Sequence, residues 1–276
     1  MINSFKAEWR KLRQRPAVWW LGAFIVGLIV VAYFFSWVEY SSSSFKPDQH
    51  ISIAQLKATL YPNNFANFIV AGTAILGGAL MLVMGALAVG SEYGWTTFKT
   101  IYAQRPSRLQ ILGGEVSAIS AVNAIVVVGV YAVAAISSTV IATVAGASLT
   151  YPALLDVLKA MAATWVIFEV WTLFGMSMAY LFRQSALAIG LGLAYMLAIE
   201  GILFRFLGHL HLDWLTTIQK FMVGQNAGSL ANSFPPSGVQ AAAPLVSVGQ
   251  ALLVIAVYAI AFVIVSSVLV RTRDVV

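Results

Sequence analysis

The sequence predicts an all-α integral membrane protein: six transmembrane helices, an N-terminal amphipathic interfacial helix, and a cytoplasmic helix between the second and third spans. Three observations carry that expectation. First, of 276 residues 60% are hydrophobic and 9% are charged. A soluble domain carries about 25% charged residues, so 16 basic and 10 acidic side chains are too few to coat a water-facing surface. Second, the apolar residues run in continuous stretches close to the ~20 residues that a helix needs to cross the hydrocarbon layer. They lack the alternation over about ten residues that marks a membrane β-barrel. Third, the basic residues divide unevenly between alternate connections. A cytosolic enzyme, a secreted domain and a disordered segment are excluded. The lack of cysteine removes disulfides, thiol nucleophiles and cysteine-bound metals.

The chain reads as one transmembrane domain over 1–276. Within it, Ile2, Phe5, Trp9 and Leu12 recur at helical spacing among Lys6, Arg10, Lys11, Arg13 and Arg15. That is an amphipathic basic helix over 1–16, suited to a membrane surface, and Pro16 turns the chain into the first span. The spans are expected at about Ala17–Trp37, Phe68–Gly90, Leu112–Ile136, Ala160–Leu181, Ser185–Phe204 and Leu245–Val270. The end of the third stays open between Ile136 and Ala147, because apolar sequence continues from Ile111 to Leu149. The first span is read as a retained anchor, since no small-x-small cleavage pattern follows it.

With the N-terminus inside, the inner segments hold eleven basic residues and the longer outer segments hold five. The positive-inside rule then places both termini in the cytoplasm. Outside, Asp48–Leu60 carries Ile53, Leu56 and Leu60 at helical spacing with Asp48 as its N-cap. A second outer helix is expected over Asp213–Met222, followed by a loose, small-residue stretch from Gly224 to Gly238.

The inner segment Ser91–Gln110, read as a loop, is the most informative. It contains Glu92, then Gly94-Trp95-Thr96-Thr97, then Phe98, Lys99, Ile101 and Tyr102, then Arg105-Pro106-Ser107-Arg108. Trp95, Phe98, Ile101 and Tyr102 share one side of a short helix, Glu92 and Lys99 lie off it, and Pro106 ends it.

This arrangement resembles the ABC-2-type permeases, the membrane subunits of one class of ATP-binding cassette exporters. The resemblance rests on an acidic residue, a Gly and Thr, and a Pro-x-Arg turn after the second span. It departs from the family at Glu115, where a lysine is frequent. It implies a permease in a bacterial cell membrane that forms the translocation path with a second copy or a related permease. It also implies a separate ATPase subunit on the cytoplasmic face, which would bind ATP and Mg. Coupling to that subunit would fall on Glu92, Gly94, Trp95, Thr97, Phe98, Lys99, Tyr102, Arg105 and Arg108. The chain itself has no Gly-x-x-x-x-Gly-Lys-Ser/Thr loop, so it is expected to be no enzyme and to bind no cofactor. Nucleic acid is not an expected partner.

Three acids are the intramembrane polar candidates. Glu169 is mid-span, where a charge costs about 2.5–3.5 kcal/mol on insertion scales; an interhelical hydrogen bond and a substrate or gating role both fit it. Glu200 and Glu115 lie nearer the ends of the fifth and third spans, where pairing or solvation is expected, Glu200 within a turn of Arg205. The competing function is a stand-alone secondary transporter with Glu169 as its ion or proton site. An intramembrane serine enzyme at Gly175-Met176-Ser177 fails, because no histidine lies in any span to serve as base. His209, His211 and Asp213 lack a fourth ligand, so no metal site is expected. Aromatic- and Met-rich spans suit a hydrophobic or amphipathic solute.

Overall fold

The computed structural model describes residues 2–47, 51–94, 107–203, 213–236 and 243–273. Among these are six helices long and apolar enough to cross a membrane: Pro16–Ser41, Pro62–Tyr93, Arg108–Ala145, Leu154–Phe182, Ser185–Ile202 and Val248–Thr272. The described residues contain no strand. The all-α, six-span expectation is met, and the boundaries shift for local reasons.

The third span starts at Arg108, four residues early, because Ser107 accepts from the Gln110 backbone and Gln110 reaches back in a capping box. It runs to Ala145 and stops where Gly146 adopts φ 65°. The fourth starts at Leu154 rather than Ala160. Its first turns carry Asp156 and Lys159, an exposed i,i+3 pair at 3.6 Å that prolongs the helix beyond its apolar part.

Two spans are wound irregularly at the end of the bundle opposite the termini. The second passes from a 3-10 turn, Pro62–Asn64, through an α-helix, Phe65–Gly72, and a π turn, Thr73–Gly77, into the helix Gly78–Gly94. The fifth is α-helical over Ser185–Leu193 and π-helical over Ala194–Leu203.

Short helices cover that same end. Ile53–Ala58 is capped by Ser52, whose side chain and Gln55 form a capping box; Ser52 replaces the expected Asp48, which lies outside the described residues. The expected second helix is shorter, Asp213–Gln219. The first part of the stretch read as loose is in fact a helix, Val223–Asn232. Gly224 misleads, because it marks packing there: a Cβ on it would come 2.6 Å from Glu200 Oε2.

The second span packs most extensively on the fourth, and the crossing leaves no room for side chains. A Cβ on Gly85 would sit 2.0 Å from the Thr172 carbonyl oxygen, and one on Gly175 would sit 2.1 Å from that of Leu82. Small residues let transmembrane backbones approach this closely. The Gly175-Met176-Ser177 segment is therefore a packing surface, with Ser177 Oγ donating to the Phe174 carbonyl at 2.8 Å. Around the crossing, Ile167, Phe168, Trp171 and Tyr180 of the fourth span are fully buried.

The N-terminal helix, Ile2–Gln14, lies against the third span. A Cβ on Gly114 would come 2.8 Å from the Ser4 backbone. The face it buries differs from the apolar stripe: Leu12 and Glu8 are buried while Ile2 is exposed.

Gly85→Ala is expected to lower the thermal midpoint of the detergent-purified chain, by the ~1–3 kcal/mol typical of overpacking. Gly27→Ala, whose Cβ would meet nothing within 4 Å, is expected to leave the midpoint unchanged or raise it. Fluorescence-detected size exclusion after a temperature series reads both.

Candidate functional site

Of the segment expected to couple to an ATPase, the structure describes the two ends. Ser91, Glu92, Tyr93 and Gly94 are not loop but the last turn of the second span. Arg108 opens the third. Trp95, Thr97, Phe98, Lys99, Tyr102 and Arg105 lie outside the described residues.

Glu92 is fully buried and is the centre of an ionic cluster at the terminal end of the bundle. Arg15 Nη2 donates to Glu92 Oε1 at 2.9 Å, and its Nη1 donates to the Ala88 carbonyl at 2.6 Å. The Lys11 ammonium contacts the carboxylates of Glu92 and Glu8, and Glu115 Oε1 is 3.9 Å away. Glu115, buried on the third span, accepts from the Tyr180 hydroxyl of the fourth. Four elements therefore meet in one cluster: the N-terminal helix and the second, third and fourth spans.

The local sequence explains the placement. Arg15 precedes Pro16 and holds an extended conformation, φ −88° and ψ 106°, so the break between helices turns its side chain inward. Glu8 and Lys11 lie one turn apart on the N-terminal helix, on the side that meets the spans. Carboxylate oxygens of Glu8, Glu92 and Glu115 lie within 4.8 Å of one another. A cation belongs among them, and Lys11 supplies it.

Two cations, Lys11 and Arg15, face the three carboxyls of Glu8, Glu92 and Glu115. Burial pushes Glu8 above its ordinary 4.5, and Lys11 pulls it down only in part. Burial by itself lowers the Lys11 ammonium, but Glu115, Glu92 and Glu8 together outweigh it and raise it above 10.5.

Arg108 belongs to a different arrangement. Its Nη1 donates to the carbonyls of Val270 and Arg273 at 3.0 and 3.1 Å, where the last turn of the sixth span leaves acceptors open. Arg273 in turn donates to the Leu181 carbonyl at 2.6 Å. The structure does not join Arg108 to the Glu92 cluster through these contacts.

Glu169 sits in a polar seam between the third and fourth spans. Ser120 Oγ donates to one of its oxygens and Asn123 Nδ2 to the other at 2.8 Å. Asn123 Nδ2 also reaches Thr172 Oγ1 at 3.0 Å, and Tyr131 pairs with Thr164 at 3.0 Å further along. Of the two roles open for Glu169, the geometry supplies the interhelical bond.

Glu200, for which pairing or solvation is expected, is not solvated. It is 3% exposed and lies in the π segment of the fifth span, where Oε2 accepts the Gly224 N–H at 2.5 Å. Arg205, His209 and His211 lie outside the described residues. Glu115 is buried and takes the pairing alternative, next to Lys11 and bonded by Tyr180.

Glu8, Lys11, Arg15 and Tyr180 were not among the expected site residues. Lys11 and Arg15 read as part of a basic membrane-facing flank. Their one available signal was Glu8, an acid one turn from Lys11 inside an otherwise basic helix.

Lys11→Met is expected to destabilise the purified chain by about 3 kcal/mol, the scale for removing one partner of a buried pair. Adding Glu8→Gln is expected to restore ~1 kcal/mol or more, a coupling that a double-mutant cycle in thermal or denaturant unfolding reads. Because Glu8 is raised, its contribution is complete below 4.5 and is lost as pH climbs through its higher folded value. Glu8→Gln alone is therefore expected to gain on the wild type from acidic pH to neutrality. No protein-family model matches the chain, and a search of curated proteins finds no match.

Proposed function

We propose that this chain is the permease subunit of an ATP-binding cassette exporter. It sits in the cell membrane with both termini in the cytoplasm. A second permease completes the translocation path, and a separate ATPase subunit supplies ATP hydrolysis. The observation that carries the reading is the buried cluster around Glu92. It lies at the last described turn before the Trp95–Tyr102 segment that resembles a coupling helix. Through Lys11, Arg15, Glu115 and Tyr180 it ties that point to the N-terminal helix and to the second, third and fourth spans.

The physical logic is force transmission. A displacement of the segment after Gly94 pulls on a helix end that Lys11 and Arg15 fix ionically to the N-terminal helix, with Glu115 and Tyr180 linking it on to the third and fourth spans. Buried charge pairs are costly to separate, so the elements move together. The Arg108 and Arg273 carbonyl contacts add the sixth span and the end of the fourth to the same end of the bundle. The reading is favoured over a proton- or ion-coupled carrier because both Glu169 oxygens are taken by donors from the third span.

Co-expression with each ATPase encoded beside its gene tests the proposal. A detergent-stable complex is expected, weakened severalfold by Phe98→Ala and by Glu92→Lys, with thermal midpoints measured on each variant alone. A chain that purifies without any ATPase in every pairing overturns it.

A further inference from the structure

At the end of the bundle opposite the termini lies a cavity of about 710 Å³. Its walls come from the second, fourth and fifth spans and from the helix Val223–Asn232. The two π-helical segments among the described residues both line it: Thr73–Gly77 contributes Ala74 to Leu76, and Ala194–Leu203 contributes Met196, Glu200 and Gly201. π turns inside helices recur at functional sites.

Two buried polar atoms at this wall are unsatisfied. Glu200 Oε2 takes the Gly224 N–H, but Oε1 has no hydrogen-bond partner. The neighbouring Tyr195 hydroxyl lies close enough to interact with Glu200, but it is directed to Met222 Sδ at 3.7 Å. Trp171 is fully buried and its indole N–H also lacks a partner. Glu200 is the one ionisable side chain among the described lining residues. A buried carboxylate without a counter-ion is costly, and an unmet indole N–H adds to that cost.

From this geometry we propose that the cavity binds an amphipathic organic cation. Its ammonium or iminium group would pair with Glu200 Oε1, and its apolar or aromatic body would lie against Trp171, Met196 and Leu76. Volume separates this occupant from a bare metal ion, because the space falls in the ~300–1,000 Å³ range of sites for drug-sized molecules. With one carboxylate among otherwise neutral oxygen donors, from Gln219, Gln225, Ser229 and Asn232, the wall compensates a single positive charge and not the two of Mg or Ca. On the export reading, from which only the transport role of this site follows, such a cation is the substrate class.

The probe is rhodamine 6G, a xanthene cation, with fluorescein as an anion of the same skeleton. Fluorescence polarisation on the purified full chain in detergent is expected to show saturable rhodamine 6G binding, with fluorescein failing to compete. Glu200→Gln is expected to weaken binding at least tenfold. Gly228→Leu gives an independent arm: Gly228 lines the cavity and a Cβ there meets nothing within 4 Å, so the longer side chain fills the space without forcing the fold. It is also expected to cost at least tenfold at an unchanged thermal midpoint.

Binding that is equal in wild type and Gly228→Leu, or equal competition by fluorescein, overturns the proposal. Dye binding with no ATPase partner supports this site and removes the exporter reading. An ATPase complex without dye binding removes the site and keeps the exporter.

Discussion

The crossing of the second and fourth spans at Gly85 and Gly175 is the constraint on which the remaining packing depends. Lipid tails are as apolar as leucine, so no hydrophobic force draws transmembrane helices together. Close backbone contact and buried polar bonds must do it. Here two carbonyl oxygens occupy the space that side chains would need. The contact sets the axial register between the two spans. That register brings Phe168 against Gly77 and Trp171 against Gly78, and it leaves Tyr180 at the level of Glu115.

Four acids mark three depths along this scaffold, and each depth has its own kind of partner. At the terminal end, Glu92 and Glu115 share Lys11, Arg15 and Tyr180 in a cluster of opposed charges. In the middle, Glu169 is held by neutral donors of the third span, which costs less stored charge and glues two helices. At the opposite end, Glu200 has one oxygen on a backbone N–H and the other, beside the Tyr195 hydroxyl, without a hydrogen bond or a counter-ion. The mechanical reading belongs to the first, the structural reading to the second and the ligand reading to the third.

The number of spans and their approximate places were legible, because hydrocarbon thickness imposes a length on apolar runs that composition displays directly. Caps were legible less evenly. Ser107 with Gln110 and Ser52 with Gln55 follow the capping-box spacing, so Ser52 rather than the acidic Asp48 caps the Ile53 helix. Glycine was the most ambiguous letter. At Gly146 it ends a helix with a positive φ, at Gly85 it permits a crossing, and at Gly224 it admits the Glu200 carboxylate. A sequence shows the same residue in all three places, and only the neighbour across the gap tells them apart. The ionic cluster was hidden for a related reason. Lys11 and Arg15 satisfy the positive-inside pattern whether they face phospholipid or Glu92, and 77 residues separate Arg15 from its partner.

The π segments follow from the same balance between local winding and tertiary demand. An α-helix continued through Thr73–Gly77 would rotate every later residue of the second span by one step, and Gly85 would then no longer meet Thr172. The wider turn takes up one residue and restores the facing of Gly78 to Trp171 and of Gly85 to the fourth span. Its cost is a less regular backbone, and that irregularity opens the wall beside Ala74 and Leu76. In the fifth span the π turn does the complementary thing, carrying Glu200 inward to the Gly224 N–H instead of outward to lipid. The cavity is thus a by-product of keeping the central crossing in register, and the one unsatisfied carboxylate oxygen in its wall gives that space a chemical preference.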